Sequence, residues 1–158
     1  MKNIIHIGAD HAGFELKEAV KLFLEKKHYE VVDHGAYEYD EDDDYPEFCG
    51  SVAREIAIDP ELMGVVIGGS GQGEAIACNR FAGVRAVVFN GQYEPSDGRE
   101  VPEEIVTSRQ HNDANILSLG ARFLSEEEAL EALELWLDTE FSGEERHIQR
   151  IEQLDRLI

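Results

Sequence analysis

The stretch Val65-Val-Ile-Gly-Gly-Ser-Gly-Gln-Gly-Glu-Ala-Ile-Ala-Cys78 holds the residues whose types and spacing bear most directly on chemistry. It reads as a buried strand, a glycine-rich turn and a helix start. Glycines let the backbone approach a ligand, and unpaired N–H groups at a helix start favour negative charge. A nucleotide phosphate loop beginning at Gly68 would need Lys and then Ser or Thr after Gly73, where the chain has Glu74 and Ala75. The dinucleotide fingerprint fails too, because Gly69 and Gly71 would call for Gly or Ala at position 74. A carboxylate at the mouth of such a loop points to proton transfer beside a developing oxyanion. A tight turn whose Glu complements the helix dipole accounts for the same residues.

Other groups suit the same chemistry. Asp10 and His11 follow the first strand directly, which puts an acid and an imidazole at the carboxyl edge of a sheet; Asp10 acting as a helix cap is the plainer alternative. His111 and Asn112 lie between a helix and the fifth strand and are also expected at the ligand edge, with Arg109 and Arg122 close in sequence. Helix C-capping would explain His111 equally well. Arg146 and Arg150 share a helical face and suit a phosphate clamp, although pairing with Glu145 or Glu152 would give them little energetic value.

The elements that must position these groups alternate. Residues 3–8, 30–34, 64–68, 84–89 and 116–119 read as strands; 14–27, 46–58, 73–80, 103–110 and 126–139 read as amphipathic helices, the last opened by a Ser125/Glu128 capping box. The alternation predicts a three-layer α/β/α, Rossmann-like fold around a mostly parallel five-stranded sheet, with ligands at the carboxyl ends of its strands. A single domain over 1–158 is expected, with 144–158 as an extra C-terminal helical arm whose Ile148, Ile151, Leu154 and Leu157 form an apolar stripe. Such an arm either caps its own domain or docks on a second subunit. The turn-rich segment 90–102 is a lid or rim over the pocket, or else a tolerated surface insertion.

Composition narrows the partners. With 158 residues and 42% hydrophobic content, one well-formed core is the expectation. Fourteen Lys and Arg against thirty-four Asp and Glu give a net charge of -20, which disfavours nucleic acid and anionic membranes. An anionic substrate then requires a locally concentrated cationic site. The acidic run 40–44 fails as a calcium loop, since Tyr45 stands where Gly is needed and Ser51 where Glu is needed, so a solvated loop is expected. Cys49 and Cys78 have no metal or redox spacing and read as packing residues. The absence of an apolar leader or spanning stretch points to the cytoplasm.

Taken together, the motifs Gly8-Ala-Asp-His-Ala-Gly-Phe-Glu-Leu-Lys17, Asp44-Tyr-Pro46, Gly68-Gly-Ser-Gly-Gln-Gly-Glu74, Arg109-Gln-His-Asn-Asp-Ala-Asn115 and Arg146-His-Ile-Gln-Arg150 closely resemble the type B ribose-5-phosphate isomerases and their galactose- and allose-6-phosphate relatives. The resemblance covers nearly the whole chain except 90–102. One branch of that family places a catalytic Cys where Gly69 stands here; this chain resembles the branch whose base maps onto Glu74. The resemblance implies aldose-ketose isomerisation through a cis-enediol, without metal or organic cofactor. By the same resemblance His111, helped by Asp10, opens the sugar ring, Glu74 moves the C2 proton, and Ser70 with the amides of Gly71 and Gly73 handles charge on the sugar oxygens. His11, Arg146 and Arg150, with Arg122 as a further candidate, are assigned to phosphate, and Tyr45 and Asn112 to sugar contacts. A homodimer or homotetramer with shared sites is implied. The alternatives are the same chemistry on a hexose or tetrulose phosphate, and a non-catalytic sugar-phosphate binder.

Overall fold

The computed structural model describes residues 3–157. Five strands, β1 (Ile4–Ala9), β2 (Glu30–Asp33), β3 (Met63–Gly68), β4 (Ala86–Phe89) and β5 (Ile116–Gly120), form one sheet in the order β2-β1-β3-β5-β4. Every neighbouring pair is parallel, so the mostly parallel sheet expected from the alternation is wholly parallel among the described residues. Six helices cover it: α1 (Phe14–Lys26), α2 (Tyr45–Ile58), α3 (Gln72–Cys78), α4 (Glu104–Asn112), α5 (Glu126–Asp138) and α6 (Glu145–Leu154). A short 3₁₀ turn, His11–Gly13, joins β1 to α1.

Both faces of the sheet are buried, which is why the strands read as continuous apolar runs. Ile5, Ile7, Val65, Ile67, Leu117 and Leu119 point to one face and pack with Val20, Leu24, Leu133 and Trp136 of α1 and α5. Val66 and Ile116 point to the other face, against Cys49, Val52 and Ile56 of α2 and Cys78 of α3. Fully burying one such aliphatic side chain stabilises the fold by about 1.5–3 kcal/mol. Both cysteines are therefore packing residues; the neighbouring Cys78 and burial push the Cys49 thiol far above its ordinary range.

Local chemistry sets the element ends. Ser125 Oγ accepts the Glu128 N–H and the Glu128 carboxylate accepts the Ser125 N–H, so the expected capping box forms. Lys17 is fully buried, and its ammonium donates to Asp33 at 2.8 Å and to the Ala36 carbonyl at 2.6 Å, tying α1 to the end of β2. Helix α4 runs to Asn112, two residues past the expected end, and closes with Asp113 in the left-handed region at φ 44°. His111 and Asn112 thus belong to its last turn.

This placement corrects the expected edge. In a parallel sheet a strand-to-helix connection lies at the carboxyl edge and a helix-to-strand connection at the amino edge. Helix α4 leads into β5, so His111 and Asn112 sit at the amino edge, opposite the glycine loop. Arg109 is buried there, bonding Asp113 and the Ala114 and Thr139 carbonyls. No helix of the described residues is long and apolar enough to cross a membrane.

Candidate active site

Strand order reverses between β1 and β3, and their carboxyl ends open a cleft of about 580 Å³ at that switch point. Asp10, His11, Tyr45, Ser70, Gly73, Glu74 and Arg122 all line it, as does the exposed ring of Phe123. Asp10 fulfils both expected roles at once: its Oδ1 accepts the Ala12 and Gly13 N–H groups at 3.0 and 3.3 Å, capping the 3₁₀ turn, while the residue faces the cleft.

Glu74 is 4% exposed, in the first turn of α3. Its carboxylate lies directly over Gly68, where any Cβ would come within 1.7 Å of Oε1. Burial raises its pKa from the ordinary 4.5, and the neighbouring Asp10 charge adds to that shift. A carboxylate kept from water in this way is a stronger base than a free one.

The loop around Glu74 is held from below. Gly71 has φ +73°, a conformation glycine adopts without strain, and its carbonyl accepts the Ser118 hydroxyl at 2.7 Å. Gly71 is buried and is not among the residues that line the cleft. The Arg122 N–H donates to the Gly69 carbonyl at 3.1 Å, and Asn90 donates to the Ser70 carbonyl at 2.9 Å. Asn90 is the point where the 90–102 segment touches this loop. Gly91, Gln92 and Glu94 line a separate hollow with Glu128, Glu131 and Leu135 of α5, and no residue of 90–102 is among those that line the cleft.

Four expected site residues lie elsewhere. His111, Asn112, Arg146 and Arg150 are exposed at the amino edge, and none lines the cleft of its own chain. The His111 ring rests on His147, centroids 4.4 Å apart, and His147 is 1% exposed with its Nδ1 bonded to the Ser142 hydroxyl at 2.9 Å. Burial lowers the His147 pKa, favouring its neutral form. Arg146 pairs with Glu144 at 2.7 Å, a different partner from the two anticipated, and both are well exposed. Ile148 and Leu154 of the same helix, and Leu157 beyond its end, are solvent-exposed, so the apolar stripe is mostly unpacked within the chain.

Two further residues stand beside the expected groups. His147 lies beside Arg146 in a motif already singled out, yet its burial depends on the contact with α4. Asp43 belongs to the acidic run expected to be solvated; instead its Oδ1 accepts both the His11 N–H and the ring Nδ1–H, each at 2.8 Å. Asp10, His11 and Asp43 bring ligand atoms within 4.8 Å of one another, but the bonds just described already occupy the Asp10 and Asp43 Oδ1 atoms and the imidazole Nδ1.

The arrangement offers a buried base, a hydroxyl, a second carboxylate, a guanidinium and an imidazole, converging on a space the size of a small metabolite. The chain matches the ribose/galactose isomerase family over residues 5–154. It is 37% identical to ribose-5-phosphate isomerase B of Mycolicibacterium paratuberculosis over 95% of this chain and 88% of that one. The Escherichia coli enzyme of the same name is also 37% identical, over 95% and 93% of the two chains. Among solved structures, ribose-5-phosphate isomerase B of Mycoplasma genitalium with bound ribulose-5-phosphate superposes with a TM-score of 0.88 at 32% identity, covering 98% of this chain and 95% of that one. The enzyme of Clostridium thermocellum gives 0.86 at 38% identity, over 98% and 96%. The motifs, the fold and these likenesses agree: the chain belongs to the ribose/galactose isomerase family.

Proposed function

We propose that the protein interconverts ribose 5-phosphate and ribulose 5-phosphate, with Glu74 as the proton-transfer base. The observation that carries this reading is the buried Glu74 carboxylate, its pKa raised by desolvation, in a cleft shared with His11 and Arg122. Glu74 takes the C2 proton of the open-chain aldose and returns it to C1. The C2–H bond breaks and a C1–H bond forms, while O1 gains a proton as O2 gives one up; Ser70 in the cleft wall is placed to relay it.

Assignment to the branch with a Glu base rests on where the thiols are. Both cysteines are buried in the core, and no thiol lines the cleft among the described residues. At Gly69, a Cβ would stand 3.0 Å from the Arg122 guanidinium, so a side chain there would displace a cation from the cleft wall.

Ring opening and full phosphate neutralisation are assigned to a second copy. Within one chain the cleft sets His11 and Arg122 against Asp10 and Glu74, a poor balance for a phosphate dianion in a protein of charge -20. His111, Asn112, Arg146 and Arg150 are exposed beside an uncovered apolar helix face. Docking of that face on another subunit would bury it and carry these groups to the partner's cleft, giving a dimer or a larger closed assembly.

Hydrogen exchange at C2 tests the chemistry. In D2O the wild-type protein should place deuterium in the recovered sugar phosphate, and Glu74→Gln should place none while still binding phosphate. Absence of exchange in the wild type would identify a binder rather than an isomerase.

A further inference from the structure

The loop before α2 passes beside the 3₁₀ turn and contributes one carboxylate that the proton-transfer chemistry does not use. Asp43 takes both of its side-chain hydrogen bonds from His11, through Oδ1 alone. Its side chain is only 9% exposed, and Oδ2 is buried with no hydrogen-bond partner among the described residues. A buried carboxylate with an orphaned oxygen is costly unless a cation stands against it. The basic group in contact with it is the His11 imidazole. With Nδ1–H held by Asp43, Nε2 is the ring nitrogen left over, on a residue that lines the cleft, and it donates only when the imidazole is doubly protonated.

We propose that Asp43 is a positioning residue for phosphate recognition, holding His11 as the doubly protonated cation with Nε2–H free for a phosphate oxygen. The inference rests on reading the cleft as a sugar-phosphate site. Chemistry gives the clamp a purpose. A phosphate monoester becomes a dianion near pH 6, while a free imidazole loses its charge near pH 6.5, so an unassisted histidine would discharge just as its ligand becomes fully charged. The bond to Asp43 is the largest influence raising the His11 pKa above 6.5; Asp10 adds to it and partial desolvation opposes it. The remaining titratable or charged groups around the ring are Tyr39, edge-on at 6.3 Å, and Tyr45, Glu74 and Arg122 in the cleft wall. Because the cation persists to higher pH than on a free imidazole, phosphate affinity should hold to correspondingly higher pH and fall as pH rises through the raised His11 pKa.

The test is an NMR titration of the His11 imidazole in the wild type and in Asp43→Asn, with the resonance assigned through His11→Gln, beside inorganic phosphate binding across pH. Asp43→Asn keeps the side-chain volume and an acceptor oxygen but removes the charge. The His11 pKa should exceed 6.5 in the wild type and drop in the variant. Phosphate affinity at pH 7.5 should fall about tenfold, the order of one charge-assisted hydrogen bond. KM for ribose 5-phosphate should rise while kcat stays within about twofold, the pattern of lost ground-state binding. An unchanged His11 titration, an unchanged phosphate affinity, or a loss confined to kcat would overturn the proposal. The wild-type titration decides alone if the variant fails to fold: a His11 pKa at or below 6.5 overturns it. A protein that binds phosphate in this Asp43-dependent way yet exchanges no C2 hydrogen would defeat the isomerase reading and leave the clamp standing.

Discussion

The two edges of the sheet are built differently. At the carboxyl edge Asp10, Ser70 and Glu74 are fixed by backbone amides, close packing and burial, and their loop is fastened from β5 and from Asn90. At the amino edge Arg146 and Arg150 extend from an exposed helix face, and His111 rests on the buried ring of His147. Proton transfer requires placement to a fraction of an ångström, whereas groups that meet a ligand across an interface can be ordered by the assembly itself. On the proposal of a shared site, the carboxyl edge of one chain would supply the proton-transfer groups and the amino edge of a second chain the cationic ones.

The largest effect should come from breaking the ordered edge. Glu74→Gln should lower kcat by about a hundredfold to ten-thousandfold, the loss of a positioned general base. It also gives a test through stability. The Glu74 pKa is raised, so the folded state keeps this proton to higher pH than the unfolded state, and stability falls as pH rises through the window above 4.5. Glu74→Gln should therefore raise Tm at pH 8 and leave it little changed at pH 4; an unaltered Tm at pH 8 would show that the carboxylate carries no desolvation cost. In the same window the acid limb of kcat/KM should lie above the titration of a free glutamate.

Gly68→Ala sharpens the same point without touching the base. The added methyl would occupy the position of Oε1, so the carboxylate must swing aside while the fold survives. A misplacement of about 1 Å can cost on the order of a hundredfold in kcat, and phosphate affinity should be retained. A folded variant with activity near wild type would show that the carboxylate need not sit over Gly68. The smallest effect is expected from Cys78→Ala, which removes a core thiol from the α3 face: destabilisation of about 1 kcal/mol and activity within about twofold. Complete loss of turnover in a folded Cys78→Ala protein would contradict its packing role.

Much of the ordered edge was legible in the chain. Apolar runs bounded by glycine marked β1 and β3, and a strand-to-helix connection assigns whatever follows them to the carboxyl edge. The same rule, applied to His111, would have put it at the amino edge, because it ends a helix that leads into a strand. The expectation at the ligand edge rested on its place between a helix and the fifth strand, without the direction of that connection. Asp43 was hidden for another reason: its contact with His11 spans thirty-two residues, and one ordered carboxylate in an acidic run looks like its solvated neighbours. Likewise the turn-rich composition of 90–102 left a rim and a surface insertion equally open; that Gly91, Gln92 and Glu94 face a hollow beside α5 depends on the fold. The Ile148, Ile151, Leu154 and Leu157 stripe was visible as apolar; that it stays mostly uncovered within its own chain was not.

The claim that one site is shared between two chains is tested most directly by subunit mixing. Glu74→Gln protein and Arg146→Ala/Arg150→Ala protein, each nearly inactive alone, are combined under conditions of subunit exchange, and hybrid formation is followed by native mass spectrometry. A shared site places both defects in one cleft of the hybrid and leaves its other cleft intact. The account predicts recovery to about a quarter of wild-type activity in an equal mixture, since half of the dimers are hybrid and each has one sound site. Hybrids that form and recover no activity would place the arginines in their own chain's site or outside the reaction, contradicting the account.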